Sequence, residues 1–263
     1  MKIEVLSKND SKIRFLLSGV KPSFAGSLRR IMMTEVPTMA IEWVDFKKND
    51  SVMPDEILAN RLGQVPLTYD RKAYNLPKGC KCGGEGCSRC QVKMTIKEKG
   101  PGIVYSEDLK SSDKSVKPVM DKIPIVDLFD AQELNLIATA QLGTGREHTK
   151  WKSAVVGYKN VPQIKINKVG KDDLEKFVNI CPRSVFKISG DKLIIVDPLK
   201  CNLCLQCSDA SENNEIEVSA SDEDFVFNVE SVSGLKPDEI VTTAAEILGT
   251  KMAEFQKNLK KVK

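Results

Sequence analysis

The residues with the most chemical potential are eight cysteines, and they fall into two tight groups. In a reducing compartment such clustering argues for metal or redox chemistry before structural disulfides. Cys201-Asn-Leu-Cys204-Leu-Gln-Cys207 has the C-x2-C-x2-C spacing with which a short loop wraps a cubane iron–sulfur cluster. In two-cluster ferredoxins each such run ends in a further cysteine followed by proline, and that fourth cysteine ligates the other cluster. Cys181-Pro182 has this form. The three cysteines of its own run would fall at 171, 174 and 177, where the chain has Lys171, Leu174 and Phe177, and the fourth cysteine of the second run would fall at Ser211. All four missing ligands belong to one cluster, and Cys181, Cys201, Cys204 and Cys207 belong to the other. The spacing thus predicts one 4Fe-4S site, with a three-iron 3Fe-4S cluster or zinc in the same four thiolates as alternatives.

Cys80-Lys-Cys82-Gly-Gly-Glu-Gly-Cys87-Ser-Arg-Cys90 is the second constellation. Its three glycines permit the positive-φ turns that fold a short loop back to present four sulfurs tetrahedrally, so structural zinc is the expected occupant. Reversible disulfides and an unmetallated loop are the competing readings. His148, the only histidine, sits in a polar stretch with no nucleophile motif nearby, and there is no phosphate-binding P-loop pattern. No catalytic residue is expected.

These groups need elements to position them. At 263 residues the chain exceeds one average domain, and its net charge of +4 with 29% charged residues lacks the strong basic bias of a dedicated nucleic-acid binder. No apolar run approaches a membrane span and the N-terminus has no secretory pattern, which predicts a cytoplasmic protein. Residues 2–8 and 12–17 read as a hairpin around Asn9-Asp10-Ser11, followed by a helix opened by Pro22 and stopped by Pro37. A strand over 39–46 and a helix over 55–64 come next, and short strand-like pieces make residues 45–165 mainly β. Asp224–Glu230 is strand-like, and a long helix should run from Pro237 nearly to Lys263. Its apolar positions Val241, Ala245, Leu248, Met252, Phe255 and Leu259 step by four and three, the seam of a helix packing lengthwise on another helix. Lys257, Lys260, Lys261 and Lys263 complement the carboxyl end of its dipole.

The stretch from Phe24-Ala-Gly-Ser-Leu-Arg-Arg to Ala40-Ile-Glu-Trp-Val44 resembles the signature helix and strand of the α-subunit family of multisubunit RNA polymerases, as does Asp55-Glu-Ile-Leu-Ala-Asn-Arg-Leu-Gly-Gln-Val-Pro-Leu67. With the Cys80–Cys90 loop, Tyr105–Leu109, Ile123–Val126 and the second cysteine group, the chain resembles the archaeal branch of that family, the D subunits, over nearly its whole length. The resemblance implies an α+β fold. Its parts would be a discontinuous dimerisation domain, residues 1–44 and 219–263; an inserted β-rich domain, 45–165; and a ferredoxin-like cluster domain, 166–218. It further implies a non-catalytic assembly scaffold of DNA-dependent RNA polymerase. The C-terminal helix would pair with the smaller subunit L, forming a platform for subunits N and P and then the two largest subunits. Arg29 and Arg30 match the arginine pair of the family helix, implying contact with the second-largest subunit. A ferredoxin-like electron-transfer subunit of an oxidoreductase is the main alternative, and a zinc-loop nucleic-acid binder a weaker one, since no aromatic residue accompanies Lys81, Arg89 and Lys93.

Overall fold

A computed structural model describes residues 1–261 as a mixed α+β chain, so Lys263 lies outside the described residues. Strands β1 (Lys2–Lys8) and β2 (Lys12–Ser18) form the opening hairpin. Asn9 closes it, its Oδ1 accepting the backbone N–H groups of Ser11 and Lys12 at 3.0 and 2.7 Å, the reason asparagine favours such turns. Helix α1 (Pro22–Thr34) begins on a proline, whose missing N–H costs nothing at that position, and buries Ala25, Leu28, Ile31 and Met32. Strand β3 (Thr38–Asn49) is bent by register shifts at Ile41/Trp43 and Phe46/Lys48. Asp55 and Glu56 stabilise the amino end of α2 (Asp55–Gly63) against its dipole. Its Leu58 and Leu62 are fully buried, each contributing about 1.5–3 kcal/mol.

Strands β4 (Gln91–Lys99), β5 (Gly102–Tyr105), β6 (Lys110–Ser111), β7 (Pro124–Leu128), β8 (Glu133–Gly143) and β9 (Ala154–Ile166) follow. The second cysteine group is carried by α3 (Leu174–Ile180), β10 (Phe186–Ser189), β11 (Lys192–Ile195) and the single turn α4 (Gln206–Asp209). β12 (Ile216–Ser231) and α5 (Pro237–Lys261) complete the chain. The larger sheets have the orders β1-β2-β12-β9 and β3-β8-β4-β6, while β5–β7 and β10–β11 are two-stranded.

The chain divides into two compact units. One comprises Met1–Ser7, Arg14–Ala25 and Tyr158–Phe227. In it Phe15 stacks on Phe227 with ring centroids 5.1 Å apart, and Tyr158 meets Phe225 edge-on. The other comprises Lys8–Ile13, Gly26–Gly157 and Asn228–Lys263. Its central sheet sets large against small across the strands, pairing Val92 with Ala140 and Met94 with Ala138. The apolar alternation of β4 and β8 therefore buries one face against α2 residues Leu58 and Leu62. Among the described residues no helix is long and apolar enough to cross a membrane.

Candidate metal centres and dimer face

The Cys80–Cys90 loop folds back on itself through Gly83, Gly84 and Gly86, with φ of +69°, +90° and +102°, a region that side-chain-bearing residues rarely enter. The return brings four sulfurs together. Cys80 and Cys87 Sγ are 3.6 Å apart, Cys82 and Cys90 3.6 Å, and Cys87 and Cys90 3.8 Å. A tetrahedron of sulfurs each about 2.3 Å from a zinc ion has edges of about 3.8 Å, so the donor set fits that ion closely. Among the described residues this is the group of cysteine, histidine and carboxylate ligands gathered within 4.8 Å of one another.

The four thiols differ in environment. Backbone N–H groups of Gly86 and Gly84 directed at Cys82 hold its thiol down at about 6, while burial pushes Cys90 up to about 12. Cys90 also accepts the Cys87 N–H at 3.2 Å. All the ligand positions come from protein, leaving none for a substrate water, as in a structural rather than a catalytic zinc site.

The second set is arranged on a larger scale. Cys181, Cys201, Cys204 and Cys207 line one small, largely enclosed cavity together with Arg183, Val185 and other residues. Their sulfurs do not gather on a single point as the first four do. Cys201 and Cys207 are buried and Cys204 is exposed. Burial raises the Cys207 thiol above its ordinary value, and charge on Cys181 and Cys201 raises it further. Backbone N–H groups of Val185 and Leu203 approach Cys181 and Cys201 Sγ at 3.4 Å, the kind of contact that stabilises thiolates at metal centres.

Lys171, Leu174, Phe177 and Ser211, which stand where a second cluster's ligands would be, have taken other tasks. Leu174 and Phe177 are buried in one apolar cluster with Val185, Phe186, Leu193 and Ile216. Ser211 donates to Glu215 Oε2 at 2.6 Å and accepts the Ile216 N–H at 3.0 Å. That hydroxyl, with Asn213, holds the Glu215 carboxyl down at about 2. Lys171 pairs with Asp191 at 2.5 Å on the surface. His148 is an exposed loop residue whose Nδ1 accepts the Lys150 N–H at 3.1 Å.

Helix α5 has two different faces. Pro237, Ile240, Thr243 and Ala244 are buried. Of the stripe picked out by sequence, Val241 and Leu248 are half-buried and Ala245 exposed, and Met252, Phe255 and Leu259 are 54%, 64% and 60% exposed. The chain's own core therefore uses a different stripe and leaves this one open. In α1, Arg29 Nε donates to Val156 O at 2.9 Å, an internal contact with no signal in the sequence, whereas Arg30 is exposed and reaches only Ser27 Oγ at 3.1 Å.

The model of the family described as the RNA polymerase Rpb3/Rpb11 dimerisation domain matches residues 14–252. A DNA-directed RNA polymerase subunit Rpo3 of Methanosphaera stadtmanae is 42% identical, with 95% of this chain and 96% of that protein aligned. The Rpo3 of Archaeoglobus fulgidus is 38% identical over 99% of this chain and 98% of its own length. A DNA-directed RNA polymerase II subunit rpb3 of Dictyostelium discoideum is 36% identical over 97% of this chain and 93% of its own. The archaeal relatives are Rpo3 subunits, which corrects the resemblance to the D subunits expected from the motifs. None of these relatives supports the electron-transfer alternative, and it is set aside. With a dimerisation-domain model covering most of its length and relatives aligned nearly end to end, the chain belongs to the RNA polymerase Rpb3/Rpb11 dimerisation family.

Proposed function

We infer that this chain is a non-catalytic assembly subunit of a DNA-directed RNA polymerase, with RNA synthesis carried out by the large subunits. The observation that carries the reading is the exposed apolar stripe of α5, in a chain whose family is defined by dimerisation. Three large side chains left in water on one face of a 25-residue helix fit a lengthwise partner helix, where their burial would contribute several kcal/mol. The partner is the smaller α-like subunit, L. Subunits N and P and the two largest subunits join the heterodimer, with Arg30 the freer of the arginine pair to reach a large subunit. The protein acts in the cytoplasm.

The domain layout follows the same reading: a dimerisation domain from 1–44 and 219–263, an inserted β-rich domain from 45–165, and a ferredoxin-like domain from 166–218. Cys80, Cys82, Cys87 and Cys90 hold zinc, supported by sulfur separations of zinc-site size. Cys181, Cys201, Cys204 and Cys207 hold one iron–sulfur cluster, 4Fe-4S rather than 3Fe-4S. Supporting this are four cysteines around one cavity and the replacement of every ligand of the neighbouring site. Both groups are structural. Co-expression with subunit L tests the scaffold reading: wild type should co-purify as a 1:1 complex and Phe255→Asp should not, while retaining its own folded stability. Equal recovery of both variants, or no complex with either, would refute it.

A further inference from the structure

The cysteine set of the first unit is entered through a three-residue 3-10 turn, Pro198–Lys200. The carbonyls at the end of such a turn lack helical partners. Lys159, on β9, supplies donors to two of them: its Nζ reaches Leu199 O at 2.7 Å and Cys201 O at 2.6 Å. Arg14 Nη2, on β2, adds a longer bond to Leu199 O at 3.4 Å. Lysine on a strand ordinarily extends its ammonium into water. Here the head group is half-buried and directed at the backbone on either side of Lys200, with carbonyls rather than a carboxylate as its close partners.

The loop beyond these carbonyls needs such restraint. Leu203 and Leu205, the residues that flank Cys204, have φ of +59° and +63°, a conformation costing a side-chain-bearing residue of order 1 kcal/mol or more. Strained backbone of this kind persists where its surroundings over-determine it. The Leu203 N–H is directed at Cys201 Sγ, so a shift of the Cys201 carbonyl would disturb a sulfur contact as well as the turn.

We propose that Lys159 is a positioning residue for the Cys181, Cys201, Cys204 and Cys207 centre, clamping the loop from which Cys201 projects and fixing a positive charge on the backbone of that ligand. The inference rests on the reading of these cysteines as an iron–sulfur site. It has two separable parts. The clamp keeps the strained loop in its ligand-presenting form. The charge favours the more negative, reduced form of a thiolate-held cluster and so raises its reduction potential.

The test uses full-length chain co-expressed with its partner and purified without oxygen, comparing wild type with Lys159→Met, Lys159→Gln and Lys159→Arg. Losing two carbonyl contacts to a charged donor should make the visible absorbance of the cluster bleach about tenfold faster in Lys159→Met. Its midpoint potential should also become more negative. Lys159→Arg should restore the potential, and Lys159→Gln should recover part of the lifetime but not the potential. Wild-type lifetime and potential in Lys159→Met would overturn the proposal. Should wild type hold no iron, the cluster reading falls separately. Amide exchange of residues 198–207 then decides the clamp, with faster exchange in Lys159→Met supporting it and unchanged exchange overturning it.

Discussion

The two cysteine sets place the same four ligands in very different settings. In the Cys80–Cys90 loop eleven consecutive residues carry all four sulfurs, and three glycines at positive φ perform the turn. Cys181, Cys201, Cys204 and Cys207 span a longer stretch, with a helix, a hairpin and a turn between or beside them, and an apolar cluster of Phe177, Phe186 and Ile216 behind. The first set is a closed loop whose four sulfurs gather on one point, so on the proposed reading its ion would hold its shape. The second is embedded in an apolar core that includes Cys201 and Cys207 themselves. On the proposed reading, identical ligands would therefore depend unequally on what they bind, with the surrounding packing setting the difference.

Substitutions should expose this inequality. Cys90 is buried and near two of its fellow sulfurs, so Cys90→Ser should release the zinc and cost its unit several kcal/mol, a portion of the ~10–16 kcal/mol that zinc binding supplies in metal-dependent modules. Calorimetric melting with metal analysis checks this. Phe177→Ala should cost about 3–5 kcal/mol in the other unit even when its iron is removed, because Phe177 is a core residue at a position a cluster ligand would occupy. A small effect there would mean that iron, and not packing, holds this region.

Cys204→Ser should be milder than either. Cys204 is the exposed member of its set, so its loss should reduce iron content or leave a three-iron cluster while the fold and the heterodimer persist. Loss of the heterodimer would instead tie assembly to the cluster. The smallest effect concerns Glu215, whose carboxyl is held at about 2, well below its ordinary 4.5, first by the Ser211 hydroxyl. A depressed folded value stabilises the fold above pH 4.5, and the contribution is lost as pH falls from there through about 2. Wild type should therefore exceed Glu215→Gln in melting temperature at pH 6, with the gap closing as the pH approaches 3.

Local signals make much of this molecule legible. The Asn9 turn, the prolines around α1 and the spacing and glycines of the Cys80–Cys90 loop each act within a few residues, where residue type fixes backbone options. Partner-dependent features stay hidden. The sequence marks only Asp224–Glu230 as strand-like, yet β12 begins at Ile216 because neighbouring strands pair with it. Gly143 stands in no recognisable motif, but a methyl group there would run into the Trp151 indole. On α5 the outer stripe runs from Val241 to Leu259, while the inner one, Pro237, Ile240 and Ala244 with the polar Thr243 beside it, steps in the same way but over a shorter stretch. Thr243 satisfies its hydroxyl locally, donating to Glu239 O at 2.6 Å, and is buried without disrupting the face.

The most direct test of the central claim, that this chain is a heterodimeric scaffold stapled by two different metal groups, is the native mass of the complex purified without oxygen. The expected mass is one copy of this chain plus one smaller α-like subunit, carrying one zinc ion and one iron–sulfur cluster. A monomer, a homodimer, or a heterodimer bearing the same single ion at both cysteine sets would contradict it.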